Sequence, residues 1–528
     1  MVKRIIFVYV IFMIIISLLC LNIFNIVTSE KYLRTENTFA SNTLEFSSGR
    51  GTIYDHSMKK LVNTEKKIIA AVNPTNEALN ALSEILTKER FDLASALWRQ
   101  GKPFLFDINT DKIDCDDIVV INTFERYSAF QLAPHIVGYP DSEGNGAYAI
   151  EKAYDDLLKS QSPQRLSYAV DAIGRPLSGI KPNISTFASQ SGVVLTIDSD
   201  IQKSVQTILN QRIKTGACVV VDLADGGMRA VASVPDFSPV FLGDAMDNED
   251  SPFINRAFTS YNVGSVFKLV SVASALENDI SPSYGHNCTG SITVSGQMFR
   301  CNKMAGHGFT DMKSALAQSC NSYFIDMILH LGGSPLLDTA GSLGFGKGSV
   351  FAPGYFSSAG NLPDRSAFIN PAAIGNFAFG QGELMATPVQ FANLIYTICS
   401  DGEYRQLSLV EKTIDKDGRE SVIEESKKTR VMSAETAESL REYMKEVVDS
   451  GTGKSAKPSD STAAGKTATA QTGVFKDGRE VIQSWFAGFF PYEQPKYAIV
   501  VVVEDLDNGA IPAAPIFKEI ADKMLTIK

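Results

Sequence analysis

The chain has no Lys- or Arg-rich run and a net charge of −10, so it lacks the electrostatic footprint of a nucleic-acid-binding protein. It has no internal repeat, which argues against a repeat architecture. No charge interrupts the stretch from Ile5 to Val27, and only Ser17, Asn22 and Asn25 break its apolar character. A run of that length spans a bilayer as a helix. Lys3 and Arg4 precede it, which predicts a cytoplasmic N-terminus and places everything after Glu30 outside. Val27-Thr28-Ser29 lacks a small-residue cleavage pattern and the run is long for a signal peptide, so an uncleaved anchor is expected over a cleaved leader. Leu19 is too large for lipoprotein processing at Cys20.

The 528 residues are expected to hold two or three domains with ordinary globular composition. Residues 30–185 alternate strand-like and helix-like segments without a catalytic cluster, and read as an α+β spacer or docking domain. Within them, Thr75 to Arg90 reads as one helix. A polar Ser/Pro/Gly stretch, Lys181 to Gly192, marks a boundary. Beyond it, a strand at 193–198, a helix at 199–214 and a strand at 218–222 indicate a sheet with packed helices. Lys313 to Leu331 reads as one helix, Ser450 to Ala464 as a small, polar, mobile loop, and the segments at 465–471, 484–490 and 497–503 as an antiparallel meander.

One stretch organises the rest, Tyr261-Asn-Val-Gly-Ser-Val-Phe-Lys-Leu-Val270. The run from Ala257 to Leu276 predicts a core helix in which Lys268 is the only charge beyond Arg256. Ser265 and Lys268 lie three apart and share a helix face, so their tips can meet. Burial lowers the pKa of an ammonium toward a range where it can accept a proton, and a serine hydroxyl needs such a base to become a nucleophile. Gly264 suits a tight turn that puts Ser265 where free backbone N–H groups can stabilise an oxyanion.

Three motifs follow one another: Ser265-x-x-Lys268, Ser319-x-Asn321 and Lys466-Thr467 at a strand start. This is the set found in penicillin-binding proteins and class A β-lactamases. With Arg50-Gly-Thr-Ile-Tyr-Asp55, Leu195-Thr-Ile-Asp198, Asn255-Arg-Ala257, Gly380-Gln-Gly382 with Thr387-Pro388, and Trp485-Phe-Ala-Gly488, the chain closely resembles class B penicillin-binding proteins, the membrane-anchored peptidoglycan D,D-transpeptidases. The resemblance implies an α/β (α+β) serine β-lactamase/transpeptidase fold, with an antiparallel sheet and packed helices. It also implies a cytoplasmic stub at 1–4, an anchor at 5–27, a pedestal or dimerisation-type domain at 30–185 and a transpeptidase domain at 193–528. Ser265 would attack, Lys268 take its proton and Ser319 pass a proton to the leaving amine. Asn321 would bind a substrate amide or hold Lys268, and Lys466 would supply positive potential. Thr467, Thr469 and Gln471 would bind substrate, with Ser265 and Thr469 N–H groups forming the oxyanion pair. No cofactor is required for acyl transfer. The implied partners are stem peptides, β-lactams and a membrane glycan polymerase, and the implied location is the cell membrane. Two positions depart from the pattern: Ala468 replaces a glycine and Val263 a proline.

Seven cysteines are present. Cys115, Cys218 and Cys399 read as buried small residues. Cys288, Cys301 and Cys320 fall within 33 residues that also hold His307, a Cys₃His set suited to structural zinc. The spacing lacks a C-x2-C knuckle, Asp311 or His286 could replace one ligand, and a Cys288–Cys301 disulfide or free thiols compete with the metal. The functional alternatives are a D,D-carboxypeptidase or β-lactamase, a penicillin-sensing receptor, or a catalytically weak scaffold of a wall-synthesis complex.

Overall fold

The computed structural model describes residues 2–28, 40–47, 49–159, 163–177, 180–185, 191–476, 478–506 and 511–527. It separates into two units that interleave in sequence. The first takes Met1–Arg50, Lys66–Glu125 and Ser162–Ala188, and the second takes Gly51–Glu65, Arg126–Gln161 and Ser189–Lys528. The sequence reading cuts the chain once, between 185 and 193, and residues 186–190 of that stretch lie outside the described residues. The interleaving comes from long-range pairing that periodicity does not announce. Thr52–Tyr54 runs parallel to Gly192–Leu195, and Arg126 donates to buried Glu151 at 2.6 Å and to the Gly51 carbonyl at 2.9 Å.

In the first unit, Phe104–Ile108, Glu65–Val72 and Ile118–Glu125 form one sheet in that order, and Ser41–Ser47, Gln164–Ala169 and Asn183–Ser185 form another. The helix expected from Thr75 to Arg90 is two, Asn76–Ile85 and Lys88–Trp98, because Leu86 and Thr87 turn extended between them. The apolar N-terminal run forms the helix Val2–Thr28. Among the described residues no helix is long and apolar enough to cross a membrane. Met1 of the expected stub lies outside the described residues.

The second unit is built on a five-stranded antiparallel sheet. Its order is Met228–Val234, Gly216–Asp222, Tyr497–Val503, Arg479–Phe490 and Ala464–Lys476. The valine run 500–503 is apolar at every position because both sheet faces are covered, and successive side chains go to opposite faces. Val501 and Val503 pack with Phe486 and Phe490 against the helices Ser199–Arg212 and Ala513–Met524. Val500 and Val502 pack with Trp485, Ala487 and Phe489 against the helices Lys268–Glu277, Pro388–Cys399 and Ala434–Asp449. Among the described residues Ala464–Lys476 is an edge strand, paired with Arg479–Phe490 on one side.

Two expected helices are shorter than their apolar runs. The 257–276 segment begins with a two-residue bridge, Tyr261–Asn262, then a 3₁₀ turn, Gly264–Phe267, before the α-helix Lys268–Glu277. The 313–331 segment breaks into Met312–Gln318 and Asn321–Leu331, because Ser319 adopts a left-handed conformation (φ 56°) and Cys320 an extended one. Both breaks fall at chemistry-bearing residues, where local apolar pattern yields to site geometry.

Phe486 is fully buried, with its ring centroid 4.5 Å from that of Phe517. Phe486→Ala should destabilise the second unit by about 3–5 kcal/mol, read as a lower denaturant midpoint for its transition.

Candidate active site

Gly264 (φ +67°) sets the nucleophile turn, and its N–H donates to the Gly380 carbonyl at 2.8 Å. Gly380 is itself left-handed (φ +83°), and a Cβ there would lie 2.1 Å from the Gly264 carbonyl oxygen. Glycine is therefore required on both sides of this contact. A Cβ on Gly264 would also lie 3.2 Å from the Thr469 carbonyl, which shows how closely the turn follows the edge strand.

Ser265 is half-buried and lines a cavity of about 510 Å³ together with Ser319, Asn321, Thr467, Ala468 and Thr469. Lys268 lies behind it, fully buried. Its ammonium donates to the Ser319 carbonyl (2.8 Å), to Ser319 Oγ (3.1 Å) and to Asn321 Oδ1 (2.7 Å). The left-handed turn at Ser319 aims both the carbonyl and the hydroxyl of that residue at one point. Burial pushes the Lys268 pKa down to about 7, with the Cys301 and Cys320 thiols acting in the opposite direction. Among the described residues no hydrogen bond joins Ser265 and Lys268, whose tips the spacing places within reach; three acceptors from Ser319 and Asn321 hold the ammonium. Among the described residues Ser265 Oγ has no hydrogen-bond partner.

Lys466 is also fully buried and donates to the Thr467 carbonyl at 2.9 Å. Burial holds its pKa well below the ordinary lysine value, and the Lys268 ammonium adds to the effect. Among the described residues no Asp or Glu lines the cavity. Thr467 and Thr469 stand on the exposed alternation of the edge strand, while Lys466, Ala468 and Ala470 are buried. Ala468 sits opposite Trp485, packed in the core while still lining the cavity. Gln471 lies outside the cavity lining and its amide donates to Glu480 at 2.9 Å, so the geometry gives it no part in the site.

Three contributors escape the sequence reading. Thr452 lines the cavity and its hydroxyl meets that of Thr467 at 2.8 Å. Its loop, expected to be mobile, is pinned by hydrogen bonds from Thr452 N to the Ala317 carbonyl and from Gly453 N to the Val447 carbonyl. Gly380 belongs to a motif seen in the sequence, but only the fold gives it a role. Arg300 lines the cavity and carried no sequence signal except that it precedes Cys301.

The sulfur and nitrogen atoms of Cys288, Cys301, His307 and Cys320 all lie within 4.8 Å of one another. Zinc held at about 2.3 Å by sulfur and about 2.0–2.1 Å by nitrogen in a tetrahedron requires S···S edges of about 3.8 Å and S···N edges of about 3.6 Å. The observed values are 3.8 Å for Cys301–Cys320, 3.5 Å for Cys288–His307 and 3.4 Å for Cys301–His307. The cysteines are free, so the Cys288–Cys301 disulfide is not formed. The substitute ligands are engaged elsewhere: His286 faces Asp326, and Asp311 caps the helix Met312–Gln318. The donor set therefore fits a tetrahedral metal. It also touches the Ser-x-Asn turn, since the Asn321 N–H donates to Cys301 Sγ at 3.3 Å.

Replacing Gly380 with alanine should displace the Gly264 turn and lower the second-order rate of Ser265 acylation by a β-lactam at least about tenfold, measured by stopped-flow or quenched labelling.

Residues 216–522 match the family model described as the penicillin-binding protein transpeptidase domain. Among curated proteins, stage V sporulation protein D of Bacillus subtilis is 25% identical over 93% of this chain and 80% of its own length. The peptidoglycan D,D-transpeptidase FtsI of Escherichia coli is 26% identical over 87% of this chain and 76% of its own. Among solved structures, penicillin-binding protein 3 of Mycobacterium tuberculosis in complex with aztreonam superposes with a TM-score of 0.67 at 23% identity, covering 92% of this chain and 96% of that one, a likeness of fold. The family match alone spans more than half of the sequence and takes in all three motifs, and the chain belongs to the penicillin-binding protein transpeptidase family.

Proposed function

We propose that this chain is a peptidoglycan D,D-transpeptidase that works through a Ser265 acyl-enzyme. The observation that carries the reading is the unpaired edge of the strand Ala464–Lys476 beside a serine backed by two buried lysines. An extended peptide pairs with such an edge through its main chain. Ser265 Oγ attacks the carbonyl of the penultimate D-Ala and its proton passes to uncharged Lys268. The developing oxyanion is met by the Ser265 and Thr469 N–H groups. Ser319, in contact with Lys268 Nζ, returns a proton to the departing D-Ala amine. Thr467 and Thr469 receive the terminal carboxylate in the positive field of Lys466. An amine from a neighbouring strand then captures the acyl group, which forms the cross-link. A β-lactam follows the first half of this course and stops at the acyl-enzyme.

The apolar run 5–27 supports a single-pass anchor with the catalytic unit outside the membrane. A membrane glycan polymerase is the partner such an anchored cross-linker serves, since it supplies the strands to be joined. A zinc ion held by Cys288, Cys301, His307 and Cys320 would be structural, with four protein ligands and no open position. Its task would be to brace the Ser-x-Asn turn through Cys320 and the Cys301 sulfur.

Fluorescent penicillin should label the wild-type chain covalently and leave Ser265→Ala unlabelled. Only the uncharged Lys268 amine accepts a proton, and its pKa is pushed down to about 7. The acylation rate should therefore rise about tenfold per pH unit below 7 and level off above it, and a flat profile from pH 5 to 8 would remove Lys268 from the base role. Elemental analysis should find close to one zinc per chain, lost together with thermal stability in Cys301→Ser; a metal-free chain with probe-reactive thiols would exclude the metal.

A further inference from the structure

Arg300 stands at the end of the hairpin strand Gln297–Arg300, at the mouth of the Ser265 cavity. Its backbone is fixed from three directions. It pairs with Ser291 across the hairpin, its carbonyl accepts from Asn321 Nδ2 at 3.0 Å, and the next residue is Cys301 of the Cys/His tetrad. Its side chain is exposed, and among the described residues the guanidinium makes no ion pair or hydrogen bond. An arginine on an anchored backbone, facing a cavity with no carboxylate in its lining, is a preorganised receptor for an anion. The terminal carboxylate of the substrate already has Thr467, Thr469 and Lys466 on the strand wall. Arg300 lines the same cavity beside Asn321, away from that strand, and on the transpeptidase reading this side receives the part of the donor peptide preceding the D-Ala pair.

We infer that Arg300 is a specificity-determining residue that binds a second carboxylate on the acyl side of the donor. The substrate class is thus a peptide with a free carboxylate upstream of its D-Ala-D-Ala end, in preference to one whose corresponding group is amidated or absent. The inference rests on the transpeptidase reading of Ser265 and adds to it the chemistry of the donor chain. The guanidinium forks onto the carboxylate, and no bond is made or broken in this step. The contact is open to water, so salt weakens it.

Two penicillins separate the two readings. Benzylpenicillin carries one carboxylate, and carbenicillin carries a second on the acyl side chain. Second-order acylation constants are to be measured for the purified full chain and for Arg300→Gln and Arg300→Lys, at low and at 0.5 M salt. The carbenicillin-to-benzylpenicillin ratio should fall at least about tenfold in Arg300→Gln, the worth of one charge-assisted hydrogen bond, and recover in part in Arg300→Lys. High salt should lower the ratio in the wild type and leave it unchanged in Arg300→Gln. A ratio equal in wild type and Arg300→Gln overturns the inference, as does a parallel fall for both drugs. A wild-type chain that benzylpenicillin does not acylate would instead sink the Ser265 reading, and the Arg300 assignment with it.

Discussion

Two ammonium groups, Lys268 and Lys466, are buried in the same part of the molecule with no carboxylate between them, and the rest of the site is arranged around that cost. Unpaired buried charge is expensive, and the usual remedy is an acidic partner. Here the compensation is made from dipoles: two oxygens of Ser319, the amide oxygen of Asn321 and a strand carbonyl at Thr467. Neutral acceptors stabilise an ammonium less than a carboxylate does, and burial brings the Lys268 pKa down to about 7 and holds that of Lys466 below its ordinary value. A carboxylate in the same place would hold Lys268 protonated and remove the base. The left-handed turn at Ser319 exists to present those acceptors, and it interrupts a sequence that would otherwise continue as helix.

This requirement explains where the sequence was legible. The strand and helix pattern from 193 onward, the alternation on the edge strand and the three motifs follow from periodicity and residue chemistry. The three chemical clusters, far apart in sequence, do converge on one cavity. What local pattern could not supply was the set of interruptions. Apolar runs at 257–276 and 313–331 look like uninterrupted helices, because the 3₁₀ turn at Ser265 and the break at Ser319 are imposed by tertiary contacts. The interleaving of the two units was invisible for a related reason. Thr52–Tyr54 is too short to declare itself as a strand, and its partner lies far along the chain.

The Cys/His tetrad illustrates the opposite case. Its spacing in sequence is irregular, yet three edges of the cluster have the lengths a zinc tetrahedron requires and all its atoms lie within 4.8 Å of one another. The spacing is irregular because the four residues come from a strand, a loop and a helix break instead of a single knuckle. Cys320 occupies the central position of the Ser-x-Asn motif, so the tetrad and the catalytic wall share one peptide.

The abutment of Gly264 and Gly380 has an evolutionary corollary. Neither position can accept a side chain without moving the nucleophile, so the floor of the pocket is closed to gradual change under antibiotic selection. The wall at Ala468 is not bound in this way, since its methyl group packs in the core while the residue still lines the cavity.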